Sequence, residues 1–225
     1  MSGRAEILAG LKKSLATSGE AESARKNAVA ARLKDTPAGI IPARGQLPAD
    51  ARVALFTCMA ESVQTSVEQV AANDDVPAAV ARLLAQRNLP ACLRIGADRN
   101  LAAMPWEANP ALEVRHGPSD GKDATAVSHA IGAIAETGTL VLTSGTDNPT
   151  TLNFLPDLHI IVVSRATIHG DMEAVWSDIR QTYGKAAMPR VVNMVTGPSR
   201  SADIEQTLIL GAHGPRALHV IIVEG

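Results

Sequence analysis

Residues 134–142 read Ile134-Ala135-Glu136-Thr137-Gly138-Thr139-Leu140-Val141-Leu142, and nearer the C-terminus stands Thr196-Gly197-Pro198-Ser199-Arg200-Ser201-Ala202-Asp203-Ile204-Glu205. In each run glycine, hydroxyls and a charge or two lie directly beside an apolar segment of strand length. An α/β protein presents free backbone donors at the end of a sheet in this way. Around these runs the chain alternates. Val53–Phe56, Cys92–Ile95, Thr139–Thr143, His159–Val163, Val191–Val195 and Leu218–Val223 read as strands. Residues 62–72, 76–86 and 172–183 read as helices, 203–210 as a short one, and Val127, Ala130, Ile131 and Ile134 mark a further helix face. Alternation of this kind predicts a mostly parallel sheet with flanking helices. The segment 105–123, with three prolines and two glycines, is too long and irregular for a plain connector and is a candidate functional loop.

An arm precedes this body. Ile7, Leu8, Leu11 and Leu15 fall on one helix face, and residues 21–33 continue as an alanine-rich helix. Pro37, Gly39, Pro42, Gly45 and Pro48 then form a linker, so the chain divides into an N-terminal helical arm, 1–38, and an α/β domain, 39–225. The apolar stripe of the arm needs a covering surface, either its own domain or a second copy in a homo-oligomer.

With 225 residues the chain is long enough to bury roughly 70–75% of its unfolded surface. Only 2% of residues are aromatic, so the core must be built from Val, Ile, Leu and Ala. Net charge is −2, without a basic stripe or stacking platforms, which argues against a nucleic-acid partner. The apolar runs are strand-length and fall short of the ~18 residues of a membrane span, while Glu6, Lys12 and Lys13 break up any signal-peptide core. A soluble, cytoplasmic protein is expected. Cys58 and Cys92 are the only cysteines and are expected as reduced, buried small hydrophobes. Two thiolates cannot supply the four that an iron–sulfur cluster takes. No H-x-x-x-H, G-x-G-x-x-G or Walker A pattern is present, so neither a metal nor a nucleotide cofactor is expected.

Three places carry the candidate chemistry. In the first, Gly197, Ser199, Arg200 and Ser201 leave one strand and lead into the expected helix of Asp203 and Glu205, where amides, hydroxyls and a guanidinium can converge on a phosphate or carboxylate. Ordinary capping by Ser201 is the alternative, although it leaves Arg200 without a role. The second is Glu136 with Thr137, Gly138 and Thr139, either a catalytic carboxylate beside a glycine turn or a helix end closed by Gly138 with Glu136 facing water. The third is His213-Gly214, an acid–base group or a cation at the end of the 203–210 helix. Ser144–Pro149 is turn chemistry, extended by Thr150, Thr151 and Asn153 into a pocket. In an all-parallel sheet Glu136 and Arg200 would lie on opposite edges, and they meet only if one of their strands runs antiparallel.

The order A-E-T-G-T (135–139), L-P-D-L-H-I (155–160), G-P-S-R-S-A-D-I-E (197–205) and G-A-H-G-P (211–215) resembles the LUD-domain family, from about Val127 to the C-terminus. The resemblance implies a sheet similar to the ribose-5-phosphate isomerase and CoA-transferase-like fold, in which some enzymes use a glutamate beside a glycine turn, as Glu136 is placed. It also implies a part in bacterial oxidation of L-lactate to pyruvate, beside partner subunits bearing iron–sulfur and cysteine-rich modules. The chain would be the cluster-free component, serving assembly or binding an anionic metabolite. A stand-alone enzyme acting through Glu136 on a phosphorylated or CoA-linked small molecule, and a metabolite sensor, are the alternatives. Where relatives tend to carry an arginine before the L-P-x-x-H segment, this chain has Thr150-Thr151-Leu152-Asn153-Phe154, so binding there does not rest on an arginine.

Overall fold

The computed structural model describes residues 3–15, 19–35, 37–184, 187–201 and 209–225. It separates into two compact units, Met1–Ile40 and Ile41–Gly225. The first holds α1 (Gly3–Leu15) and α2 (Gly19–Asp35), the latter braced by an ion pair between Lys26 and Glu22 one turn apart.

The second unit opens with α3 (Ala49–Ser62), which follows Pro48. Val53, Phe56 and Ala60 recur at helical spacing and are buried. The strand expected at Val53–Phe56 is therefore the middle of a helix, since its polar neighbours Arg52, Thr57 and Glu61 place the apolar residues on one helical face. Conversely, the expected helix at 62–72 is β1 (Ser66–Val70), where Glu68 meets Arg82 and the chain gains a ladder with the C-terminal strand. There follow α4 (Val76–Gln86), β2 (Cys92–Ile95), α5 (Arg99–Ala102), β3 (Glu113–His116), β4 (Thr125–His129), β5 (Gly132–Ile134), β6 (Thr139–Thr143), α6 (Thr151–Phe154) and β7 (Leu158–Ser164). The chain ends with β8 (Ile168–His169), α7 (Met172–Tyr183), β9 (Val192–Val195), β10 (Arg200–Ser201), β11 (Ile209–Leu210) and β12 (Ala217–Val223). The helix expected across 127–134 is two strands instead. The run is mostly apolar and has no exposed residue, only His129 and Ile131 being partly buried, and Gly132 breaks it, so its helical spacing carried no amphipathic information.

Six strands form a sheet in the order β1-β12-β7-β4-β2-β3, every neighbouring pair parallel. A second sheet, β8-β5-β6-β9, contains the antiparallel pairs β5/β6 and β6/β9. One face of the large sheet packs on α4 and α5 through Val127, Ile160 and Ile221 against Val80, Leu84 and Leu101. The other face, with Ile161, Val163 and Val220, meets α3 and the second sheet at Phe56, Ala133, Leu140 and Leu142. The outer face of the second sheet takes α7 through Val175 and Ile179. Aliphatic side chains from both sheets fill the layers, consistent with the scarcity of aromatics.

The cysteines differ from expectation. Cys58 is exposed on α3 and Cys92 is half-buried on β2, both free; residue 58 falls off the Val53/Phe56/Ala60 face once the segment is helical. The segment 105–123 contains a short 3-10 turn at Trp106–Ala108 and strand β3, with the Trp106 indole donating to the Leu101 carbonyl at 2.6 Å.

Candidate functional site

Antiparallel pairing of β6 with β9 sets Leu140 beside Val195, and so brings the start of β6 to the end of β9. The hydroxyls of Thr137, Thr139 and Thr196 follow in a chain of two 2.7 Å hydrogen bonds from the β5–β6 turn to the segment after β9. The condition that would place Glu136 and Gly197–Arg200 on one edge of the fold is thus met. Two glycines let this edge close on α3. Gly138 has φ +65°, and a Cβ there would stand 2.5 Å from the Ala60 nitrogen. Gly197 has φ +78°, and its Cβ would stand 2.7 Å from the Val63 carbonyl. Gly138 adopts the left-handed conformation expected of it, but in a hairpin turn rather than at a helix end.

Beyond Gly197 the chain is held by its own loop partners. The Ser199 amide donates to Pro215 O at 2.8 Å, the Gly211 amide donates to Ser199 O at 2.9 Å, and the His213 amide donates to Ser199 Oγ at 3.3 Å. Strand β10 pairs with β11, Ser201 opposite Ile209. Ile209 and Leu210 are therefore strand, so the helix expected to end at 210, and the dipole proposed for His213, do not apply to these two residues; 202–208, with Asp203 and Glu205, lie outside the described residues. Ser201 is buried in the ladder, and Arg200 donates to the carbonyl of Val63 just past α3, a helix-capping contact that the sequence did not reveal.

These loops enclose a cleft of about 260 Å³ lined by Asn153, Phe154, Thr196, Gly197, Ser199, Arg200, His213 and Gly214, among others. Asn153 precedes β7, and Pro215, also on the wall, precedes β12, so the cleft opens at the amino ends of the parallel strands. Four of its members, Ser199, Arg200, His213 and Gly214, are brought together from two loops by the hydrogen bonds above. Thr137, Gly138 and Thr139 stand behind it, joined through Thr196. Glu136 does not line it. Its carboxylate is buried, contrary to the water-facing reading, because the turn folds under α3, and its Oε2 accepts from Arg44 Nε at 3.2 Å. Glu136 and Arg200 thus share an edge but not a cavity.

The residue whose weight sequence reasoning missed is Asn153. It is 3% exposed, and neither its amide nitrogen nor its oxygen has a partner. A buried primary amide without hydrogen bonds costs roughly 1–3 kcal/mol, and Asn153 belongs to the wall of a cleft that also carries a guanidinium, an imidazole and a serine. Rotated into the cleft, the amide would offer a donor to one ligand oxygen and an acceptor to a hydroxyl, while Arg200 supplies positive charge at the rim. The arrangement suits a small acid carrying a hydroxyl.

Residues 122–223 match the LUD domain, a stretch that holds every lining residue of the cleft. Lactate utilization protein C of Geobacillus sp. (strain WCH70) is 38% identical over 93 residues, which cover 40% of this chain and 39% of that protein. Lactate utilization protein C of Bacillus licheniformis is 40% identical over 92 residues, covering 40% and 38%, and that of Bacillus subtilis is 37% identical over 91, covering 40% and 38%. The chain thus spans about two fifths of the length of the curated relatives it matches. A crystal structure of a DUF162 family protein from Deinococcus radiodurans superposes with a TM-score of 0.56 at 24% identity, covering 79% of this chain and 99% of that one, and shows the same fold. Over residues 122–223, the chain is thus similar to the LUD-domain family.

Proposed function

We propose that this protein serves bacterial lactate utilization as a component that binds a small hydroxy acid in the cleft at the amino ends of the parallel strands, and that electron transfer is carried by iron–sulfur and cysteine-rich partner subunits. The observation that carries the reading is the unpartnered amide of Asn153, buried in a cleft beside Ser199, Arg200 and His213. L-Lactate offers the complement: a carboxylate for the guanidinium and the amide N–H, and a 2-hydroxyl that donates to the amide oxygen. The part of the chain that supplies these groups is the part that matches the LUD domain, and the chain is similar over 93 residues to a protein named lactate utilization protein C. The two cysteines, on α3 and β2, fall short of the four thiolates of a cluster, which supports assigning the redox centres to other chains.

Growth tests the reading. A strain deleted for the gene should grow poorly on L-lactate as sole carbon source and normally on pyruvate, and plasmid-borne wild type should restore growth while N153L does not. Normal growth of the deleted strain on lactate would overturn the role.

A further inference from the structure

The parallel sheet has a second end with its own crevice. Strands β1 and β2 leave their carboxyl ends toward α4 and α5, whose Val80, Leu84 and Leu101 pack on one face of the sheet. Strands β4 and β7 leave toward β5 and β8, whose Ala133 and Ile168 pack on the other. Neighbours β2 and β4 therefore send their chains to opposite faces, and such a divergence opens a gap between the departing loops, where open α/β sheets take their ligands. A cleft of about 300 Å³ lies there, floored by Val162 and Val223 and walled by Asn73, Asn100, His129 and Ser164.

We infer that this crevice is a second binding site, separate from the Asn153 cleft, for a small neutral molecule with adjacent hydroxyls, a polyol or a pentose. Its volume is at the lower end of those that hold small ligands, enough for a five-carbon sugar. Its walls offer amides, hydroxyls and an imidazole, and none of the described lining residues is Lys or Arg. The Asp98 carboxylate lies 3.9 Å from His129 Nδ1. Asp98 also accepts from the amides of Asn100 and Leu101, which holds it in place. Arg165, next to Ser164, is engaged by Asp50 and Glu224. An anion would thus find a carboxylate nearby and no Lys or Arg among the described lining residues, whereas a hydroxyl compound finds matching donors and acceptors. His129 has capacity to spare. Its ring nitrogens lie 3.4 and 3.5 Å from the Asn100 amide, both long contacts, and burial lowers its pKa against the opposing pull of Asp98, keeping an acceptor nitrogen for a ligand hydroxyl.

The test is an NMR titration of the full 15N-labelled chain with D-ribose and with xylitol, beside acetate and inorganic phosphate as anionic probes. Saturable shifts at the amides of Asn73, Asn100, His129 and Ser164 are expected with ribose or xylitol and not with the anions. N100A, which removes an exposed side chain, should weaken that binding roughly three- to tenfold without moving the melting temperature. Shifts with acetate or phosphate alone, no saturable shift with either polyol, or equal affinity in N100A would each overturn the assignment. None of these outcomes bears on the lactate reading, which rests on residues at the opposite end of the strands.

Discussion

Asn153 tests at the level of a single side chain whether the cleft is built for a ligand. An amide kept solely for folding would have partners, and this one has none. Asn153→Leu should leave the melting temperature unchanged or raise it, because the apolar side chain removes an unmet desolvation cost of roughly 1–3 kcal/mol, and should abolish ligand affinity. A clear drop in melting temperature would instead make the amide a packing element. Two histidines give a second residue-level expectation. Burial depresses His159 to about 3 and, together with the neighbouring Arg87 and Arg82, His219 to about 4. Folded pKa values below the ordinary 6.5 mean that the unfolded chain binds more protons, so this contribution is full above pH 6.5 and lost as pH falls toward 4 and then 3. Urea midpoints should fall through that window, each histidine contributing a slope of about 1.4 kcal/mol per pH unit. His159→Gln should flatten the slope, and an unchanged slope in that variant would refute the assignment.

Among elements, the contact of α3 with the two glycine turns organises the edge that bears the cleft. At Gly138 a methyl group would meet the α3 backbone at Ala60 and Met59 while φ is positive, so Gly138→Ala should cost well above the ~1 kcal/mol of an ordinary glycine-to-alanine effect. Thermal melts would show it, and an unchanged melting temperature would mean that α3 does not press on the turn. Elements with a self-contained signal were legible in the sequence. The amphipathic α4 and α7, and the Val/Ile-rich β7 and β12, are where the pattern places them. Those defined by their neighbours were not. In β1, Ser66, Glu68 and Gln69 look helical until β12 supplies the ladder, and β4–β5 is buried or half-buried along its length and has no exposed face to set its period. The candidate site shows the same division. The polar loops at Gly197–Arg200 and His213–Gly214 stood out as residues, but their convergence depends on β9 running antiparallel to β6. Asn153 was visible as a turn residue, while its lack of partners is a property of packing alone.

For the whole molecule, the unit Met1–Ile40 keeps Ile7, Leu8, Leu11 and Leu15 exposed, an apolar row that we expect to support self-association. Deleting the residues before Gly39 should lower the mass seen by light scattering, and an unchanged mass would remove the arm from assembly. The purified chain by itself should show neither flavin nor iron–sulfur absorbance and no lactate-dependent dye reduction, whereas robust turnover would contradict its role as one component among several. The role of the protein turns on whether the cleft recognises a hydroxy acid. Calorimetric titration of the full chain and of Arg200→Ala with L-lactate, propionate, phosphate and CoA decides it. Lactate should bind more tightly than propionate, which lacks the hydroxyl for Asn153. Loss of the guanidinium should weaken lactate by roughly tenfold to a hundredfold, the equivalent of about 1.5–3 kcal/mol for hydrogen bonds to a charged group. Equal affinity for lactate and propionate, or an Arg200→Ala protein that binds lactate as wild type does, would contradict it.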